Sequence, residues 1–336
     1  MDKKITLIDV AKDAGVSRAT ASLVLRNSEL VADATRERVQ ASMKKLGYVY
    51  NRTAASLRAH RSQSIGLVVT DITNPFFAEL AVSIESQLDD AGYALMLSNT
   101  LDQTEKQDRL LRAMNGRQVD GLLFCPAEGT TSETVDKLSL WKLPVVLITR
   151  EITGAHYDYA GPDNRTGALM AGRHLIEQGH RRIAFLGGKD GASARKERLN
   201  GLQEALIEAG VEWRPSWSVF SPVSRKGGYT AIEQILDLTD APTAVLCYND
   251  VVAFGAMLGL QSRGLQPGQD FGLVGFDDIE DAALVRPALT TVAIKPKEIG
   301  EAAINLLLDR IEHPGKPYLS KVQTPELIVR ETSIAR

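Results

Sequence analysis

The residues best suited to chemistry fall into two sets. The first is a series of short polar and aromatic stretches, each set just after an apolar run. They are Asn74 with Phe76 and Phe77, Arg150, Arg198, Asn249 with Asp250, and Asp277 with Asp278. Amides, carboxylates and guanidinium groups hydrogen-bond neighbouring hydroxyls in pairs, and aromatic rings cover C–H faces, which is what holding a sugar requires. Taken singly, each residue has a plainer reading, since Asn and Asp cap helices and Phe packs cores. Their recurrence at one kind of position is what points to a ligand. The second set is Ser17, Arg18, Ala19, Thr20, Ser22 and Leu23, close together on one short segment.

Catalysis finds little support. No Gly-x-Gly-x-x-Gly follows a strand and no G-x-x-x-x-G-K-[ST] occurs. Ser42 and Lys45 satisfy a bare S-x-x-K pattern, but on a helical stretch with no supporting motif, so they read as solvated helix surface. His60, His156, His174, His180 and His313 lack metal-ligand spacing. Cys125 and Cys247 lie far apart at the ends of apolar runs and read as buried thiols. The expectation is a protein that is not an enzyme, with no cofactor and no metal.

The second set is positioned by a helix pair. Thr6 can cap a helix whose first turn carries Asp9, and Leu7, Val10, Ala11 and Ala14 share one face. Gly15 permits a left-handed turn, and Ser17 caps a second helix with Thr20, Leu23 and Val24 in helical spacing. Two short helices about a Gly-containing turn describe a helix-turn-helix, whose second helix enters a DNA major groove. An ordinary helical hairpin is the competing reading. In the DNA reading, Ser17, Thr20, Ser22 and Asn51 contact phosphates, which position without specifying sequence. Arg18 can pair with guanine O6 and N7, while Ala19 and Leu23 offer apolar contact. Thr6 joins this set at the start of the first helix.

The first set is positioned by alternation. After a third helix over 35–46 and a polar linker, apolar strands and amphipathic helices alternate from Ser64 to Thr149, and the alternation restarts at Arg165. This predicts an α/β fold with two doubly wound lobes, each a parallel sheet covered on both faces. Open α/β sheets bind ligands beyond the carboxyl ends of their strands, where the polar stretches fall.

Together these features resemble the lactose-repressor (LacI/GalR) family of bacterial transcription regulators. The resemblance rests on D-V-A-x-x-A-G-V-S at Asp9 to Ser17, T-R-E-R-V at Thr35 to Val39, L-G-Y at Leu46 to Tyr48, and Asn51-Arg52. The downstream pattern follows the family to within a few residues of Arg336. The resemblance implies a periplasmic-binding-protein-like core and a hinge helix that folds on DNA, where Leu57 wedges into the minor groove. The family usually has Pro where this chain has Tyr50. Positions matching Phe76, Phe77, Arg198, Asn249 and Asp277 commonly contact effector in the family, and Arg150 lies one past such a position, here Thr149. The family's crossover Gln is replaced by Ile294, which leaves that contact absent or taken over by Lys295.

The implied organisation is a head over 1–50, a hinge over 51–63 and a core over 64–336. Lobe 1 takes about 64–160 and 292–320, and lobe 2 about 163–289 and 321–332. Charge agrees with this division. Residues 1–62 hold 12 Lys and Arg against 6 Asp and Glu, whereas the remainder holds 27 against 36. A basic head on an acidic body suits a polyanion-binding head. No apolar run reaches the roughly 18 residues of a membrane span, and there is no leader-like start. The expected protein is therefore a cytoplasmic repressor. Its expected partners are a palindromic double-stranded DNA operator, a small carbohydrate or related effector and a second copy of itself, with no membrane. No leucine heptad precedes Arg336, so the assembly expected is a homodimer through the core. A cytoplasmic sugar-binding protein or a sugar-processing enzyme remains the alternative.

The hinge reading makes a prediction. Leu57→Gly removes the wedge and lowers helix propensity together. Operator affinity should collapse in a gel shift while ligand binding to the core, measured by calorimetry, stays unchanged. Equal loss of both would assign Leu57 to the core.

Overall fold

The computed structural model describes residues 5–25, 28–48 and 62–333. The chain divides into two compact units, residues 1–62 and 63–336. In the first, α1 (Leu7–Asp13), α2 (Arg18–Leu25) and α3 (Asp33–Leu46) bury Val10, Ala11, Ala14, Ala21, Val24, Val31 and Val39 against one another. Gly15 and Gly47 take φ of +65° and +61°, ending α1 and α3 where no side chain obstructs a left-handed turn. Tyr48 packs back on this core. One expectation is corrected here. The buried face of α3 runs through Val39, Ser42, Met43 and Leu46, and Ala41 is exposed. Ser42 is accordingly not solvated surface: it is buried, and its hydroxyl donates to Val10 O at 3.2 Å. Lys45 pairs with Asp13 at 2.6 Å.

The second unit carries two six-stranded sheets. The first has the order β11-β5-β4-β3-β1-β2, with β1 (Ser64–Val69), β2 (Ala94–Asn99), β3 (Gly121–Phe124), β4 (Val145–Ile148), β5 (Asp158–Pro162) and β11 (Ser320–Gln323) all parallel. The second has the order β12-β10-β9-β8-β6-β7. Its strands are β6 (Ile183–Leu186), β7 (Ser218–Val219), β8 (Ala244–Cys247), β9 (Gly272–Asp277), β10 (Thr290–Ala293) and an antiparallel β12 (Glu326–Ile328). The helices between the strands are α4 (Pro75–Asp90), α5 (Thr104–Gly116), α6 (Ser132–Leu140), α7 (Asn164–Glu177), α8 (Ser193–Glu208), α9 (Arg225–Leu236), α10 (Asp250–Ser262), the short α11 (Asp281–Leu284) and α12 (Pro296–Glu312). Sheet strands such as β3, β4, β6 and β8 are buried along their whole length, as parallel sheets covered on both faces require.

The chain passes between sheets three times: after β5, after β10 and after β11. The second and third crossings fall after Ala293 and after Gln323, a few residues later than the sequence suggests. Elements without a counterpart in the sequence reading include the two-residue β7 and the single turn α11. Both are too short for periodicity to register. The helix after β1 begins at Pro75, since Pro needs no N–H donor in a first turn. Cys125 and Cys247 are buried, unpaired thiols.

Arg310 joins α12 to the segment that leads into β11. Its guanidinium donates to both oxygens of the buried Asp158, at 2.7 and 3.1 Å, and to the carbonyls of Pro314, Lys316 and Pro317. Asp158 also accepts from Leu319 N at 2.9 Å, one residue before β11. Removing one member of such a pair leaves a buried charge uncompensated, which costs about 3–5 kcal/mol. Arg310→Met should lower core stability by about that amount in urea unfolding. An unchanged midpoint would show that the pair contributes nothing net.

Candidate functional site

Two regions gather the residues singled out by the sequence. In the head, Thr6 and Asp9 form a reciprocal cap: Asp9 Oδ2 accepts from Thr6 N at 2.9 Å and Thr6 Oγ1 at 2.6 Å, and Thr6 Oγ1 accepts from Asp9 N at 3.4 Å. Ser17 Oγ accepts from Thr20 N at 3.0 Å and stands 2.9 Å from Thr20 Oγ1. These caps hold the first turn of α2, where Arg18 and Ala19 are exposed. Thr20, Ser22 and Leu23 are half-buried, and Leu23 packs partly on the head core, leaving only part of its side chain to meet a base. Asn51 and Leu57 lie outside the described residues, as does most of the hinge.

In the core, a cavity of about 340 Å³ opens where strands of both sheets end. Asn74, Phe76, Phe77, Arg150, Arg198, Asn249 and Asp277 all line it. Asn74 caps α4 by accepting from Phe76 N at 3.2 Å, which places Phe76 and Phe77 in the first helical turn with rings edge to face. Asn249 caps α10 in the same way, accepting from Val252 N at 3.1 Å. Capping and lining therefore coincide, because helix N-termini follow the carboxyl ends of parallel strands.

Arg198 sits in the second turn of α8 and is 5% exposed. Its Nε donates to Asn164 Oδ1 at 2.8 Å and its Nη1 to Tyr248 O. The guanidinium lies 3.7 Å from the Phe276 ring centroid and 4.8 Å from that of Tyr248. Glu197 is engaged by Asn164, so Arg198 meets a different carboxylate, Asp277, at 3.9 Å.

Asp277 ends β9 with a φ of +117°. Burial pushes its carboxyl up to about 6, against the pull of Arg198 and of hydrogen bonds from Asn74 and Asn249. Behind it, the fully buried Asp250 accepts from Thr291 Oγ1 and, at 3.0 Å, from Ile279 N. Burial and the neighbouring Asp277 hold its pKa well above the carboxylate range. Residue 275 is necessarily glycine, since a Cβ there would stand 2.2 Å from Asp250 Oδ1.

Arg150 is not free to meet a ligand with all its donors. Its Nη1 binds Asp102 Oδ1 at 2.7 Å and Pro126 O at 3.2 Å. Asp102 also accepts Glu128 N at 3.0 Å and pairs with Lys189 of the opposite lobe at 3.1 Å. Burial pushes the Asp102 carboxyl up, but these three donors outweigh it and its pKa falls below the usual value. Asp102 and Lys189 both line the cavity and were missed in the sequence, although each follows a strand, β2 and β6, as the recognised residues do. Ile294 and Thr149 line it as well. Lys295 does not replace the crossover contact: its ammonium lies 3.6 Å from Glu326. Among the described residues no cluster of His, Cys, Asp and Glu could hold a metal ion. None of the described helices is long and apolar enough to cross a membrane.

Residues 62–325 match the periplasmic binding proteins and sugar binding domain of the LacI family, and residues 6–51 match the bacterial regulatory proteins of the lacI family. The chain belongs to the LacI family. It is 34% identical over 330 residues to the HTH-type transcriptional repressor PurR of Haemophilus influenzae strain PittEE, covering 97% of this chain and 98% of that one. Among solved structures, the transcriptional regulator CelR–cellobiose complex superposes with a TM-score of 0.74 at 30% identity, over 98% of this chain and 99% of CelR. The lac repressor dimer bound to operator and the anti-inducer ONPF superposes with a TM-score of 0.88 at 26% identity, over 99% and 100%.

The Asp277 environment predicts a pH dependence. Its folded pKa, about 6, exceeds the ordinary 3.8. Between those values the folded state holds the proton more tightly, so stability falls as pH rises through the window, by about 3 kcal/mol at most. The melting temperature of Asp277→Asn relative to the parent should therefore climb from pH 4 to pH 7. A constant difference would mean that Asp277 is ionised throughout.

Proposed function

We propose that this chain is a cytoplasmic, sequence-specific transcriptional repressor whose operator affinity is set by a small carbohydrate or related metabolite held between the core lobes. The observation that carries this reading is the joining, in one LacI-family chain, of a capped helix with exposed Arg18 and Ala19 to a cavity lined from both lobes. Residues 1–50 act as the head, 51–63 as the hinge and 64–336 as the core. A homodimer places two heads on a palindromic operator, an arrangement supported by the operator-bound dimer of the related lac repressor. Ser17, Thr20, Ser22 and Asn51 anchor phosphates, with Thr6 at the start of α1, while Arg18 reads a base edge and Leu57 wedges the centre.

The effector rests on Asn74, Phe76 and Phe77 from lobe 1 and on Arg198, Asn249 and Asp277 from lobe 2, with Arg150 oriented by Asp102. Cellobiose bound by the related CelR supports a carbohydrate ligand. The polar lining binds and orients, and no nucleophile–base pair in it argues for turnover.

Site selection from a random DNA pool, followed by gel shifts with and without a sugar panel, tests this reading. A palindromic site should emerge, and at least one sugar should change its affinity. In the same selection, Arg18→Ala should lose about 1–3 kcal/mol of discrimination at one symmetric base position. An unchanged motif would remove Arg18 from the readout, and failure to enrich any site would overturn the repressor reading.

A further inference from the structure

A second opening, of about 400 Å³, lies beside the effector cavity. It is walled by the loop after β3 (residues 126–131), the start of α6, the loop after β4 (residues 150–153), and Gly191 and Ser193 at the start of α8. The partition between the two is thin. Arg150 lines both. Asp102 lines the first and Glu128 the second, and they are joined by the 3.0 Å bond from Glu128 N to Asp102 Oδ1. Ser193 lines the second and its neighbour Ala194 the first. The groups common to both walls are one ion pair and one helix start.

We infer that the effector has two hydroxylated units, one in the first cavity and one beyond Arg150 in the second. This rests on the effector reading above and extends it to the size and charge of the ligand. The first cavity has the aromatic pair Phe76 and Phe77 and the oriented groups of Arg198 and Asp277, which suit one ring. The second has no aromatic lining; it presents the hydroxyls of Thr131, Ser132, Thr153 and Ser193 and the carboxylates of Glu128 and Glu151. The one cation on its wall, Arg150, is already matched by Asp102 at 2.7 Å. Carboxylates without a spare cation repel a phosphate and accept hydroxyl donors, so the second unit is neutral. Each cavity alone is at the small end of ligand sites, which run from roughly 300 to 1,000 Å³, and the two together are mid-range.

Calorimetry on the full chain tests this with glucose, galactose, fructose and ribose set against cellobiose, maltose, lactose, sucrose and trehalose. At least one disaccharide should bind tenfold or more tightly than either of its component sugars. Thr153→Trp, which fills the second cavity from an exposed loop, and Glu151→Gln should each erase most of that advantage. Both should leave monosaccharide affinity within twofold of the parent. The inference is overturned if no disaccharide gains tenfold, or if both variants weaken mono- and disaccharides alike. It is also overturned if glucose 6-phosphate gains tenfold over glucose. Monosaccharide binding without a disaccharide gain removes only the second subsite, whereas no binding by any sugar overturns the carbohydrate reading with it.

Discussion

The core is built around a carboxylate that its surroundings disfavour. Asp277 is buried at the end of a central strand with Asp250 behind it, and only specific partners keep it ionised near neutral pH. Arg198 and Asn249 come from its own lobe and Asn74 from the other. Arg198 is itself fixed by Asn164, by the Tyr248 carbonyl and by two aromatic faces. Elements from α4, α7, α8, β8 and β9 thus converge on one ion pair. A guanidinium and a carboxylate held this way lose little rotamer freedom when a ligand arrives, which is the advantage of preorganisation.

Asp102 does for the first lobe what Asp277 does for the second. It gathers the loops after β2, β3 and β4 through its bonds to Glu128 N and Arg150, and it reaches Lys189 across the cleft. Glu128 extends the same layer toward the Ser193 amide at the start of α8, where a negative charge is favourable. The cleft is therefore bordered by paired charges on both sides. Its polarity comes from groups already committed to one another, so a neutral polar ligand fits it better than a highly charged one.

Much of this was legible in the sequence because one rule of α/β architecture does double work. Residues after parallel strands cap the next helix and also face the cleft, so Asn74, Asn249 and Asp277 could be found by position alone. Arg150 and Arg198 could be found in the same way, but their partners could not. Asp102 and Asn164 are separated from them by 48 and 34 residues, distances over which no periodicity carries information. Ser42 was misread for a related reason: α3 is buried along 39, 42, 43 and 46, and a small hydroxyl can sit on that face once a carbonyl of α1 accepts its proton. The crossings were slightly displaced because β10 pairs with β9 and β12 and β11 with the distant β5, and pairing, not composition, decides where a strand ends.

Lobe-to-lobe contacts set the scale on which an effector has to act. Lys189 reaches Asp102 across the cleft, and Asn74 and Ser193 stand near enough to Asp277 and Glu128 to act on their charges, so one lobe spacing is already favoured. A ligand that met each lobe equally well at every spacing would shift nothing, however tightly it bound. Moving a two-state equilibrium from 1:99 to 99:1 takes about 5.5 kcal/mol of differential affinity. A hydrogen bond to a charged group contributes about 1.5–3 kcal/mol. Two to four such bonds, made at one spacing and unmade at the other, reach that figure. Arg198 and Asp277 on one lobe, with Asn74 and the Arg150–Asp102 pair on the other, line the cavity in that number. The switch therefore needs no long-range pathway through the core, only a ligand whose bonds are divided between two sheets that three crossings allow to move.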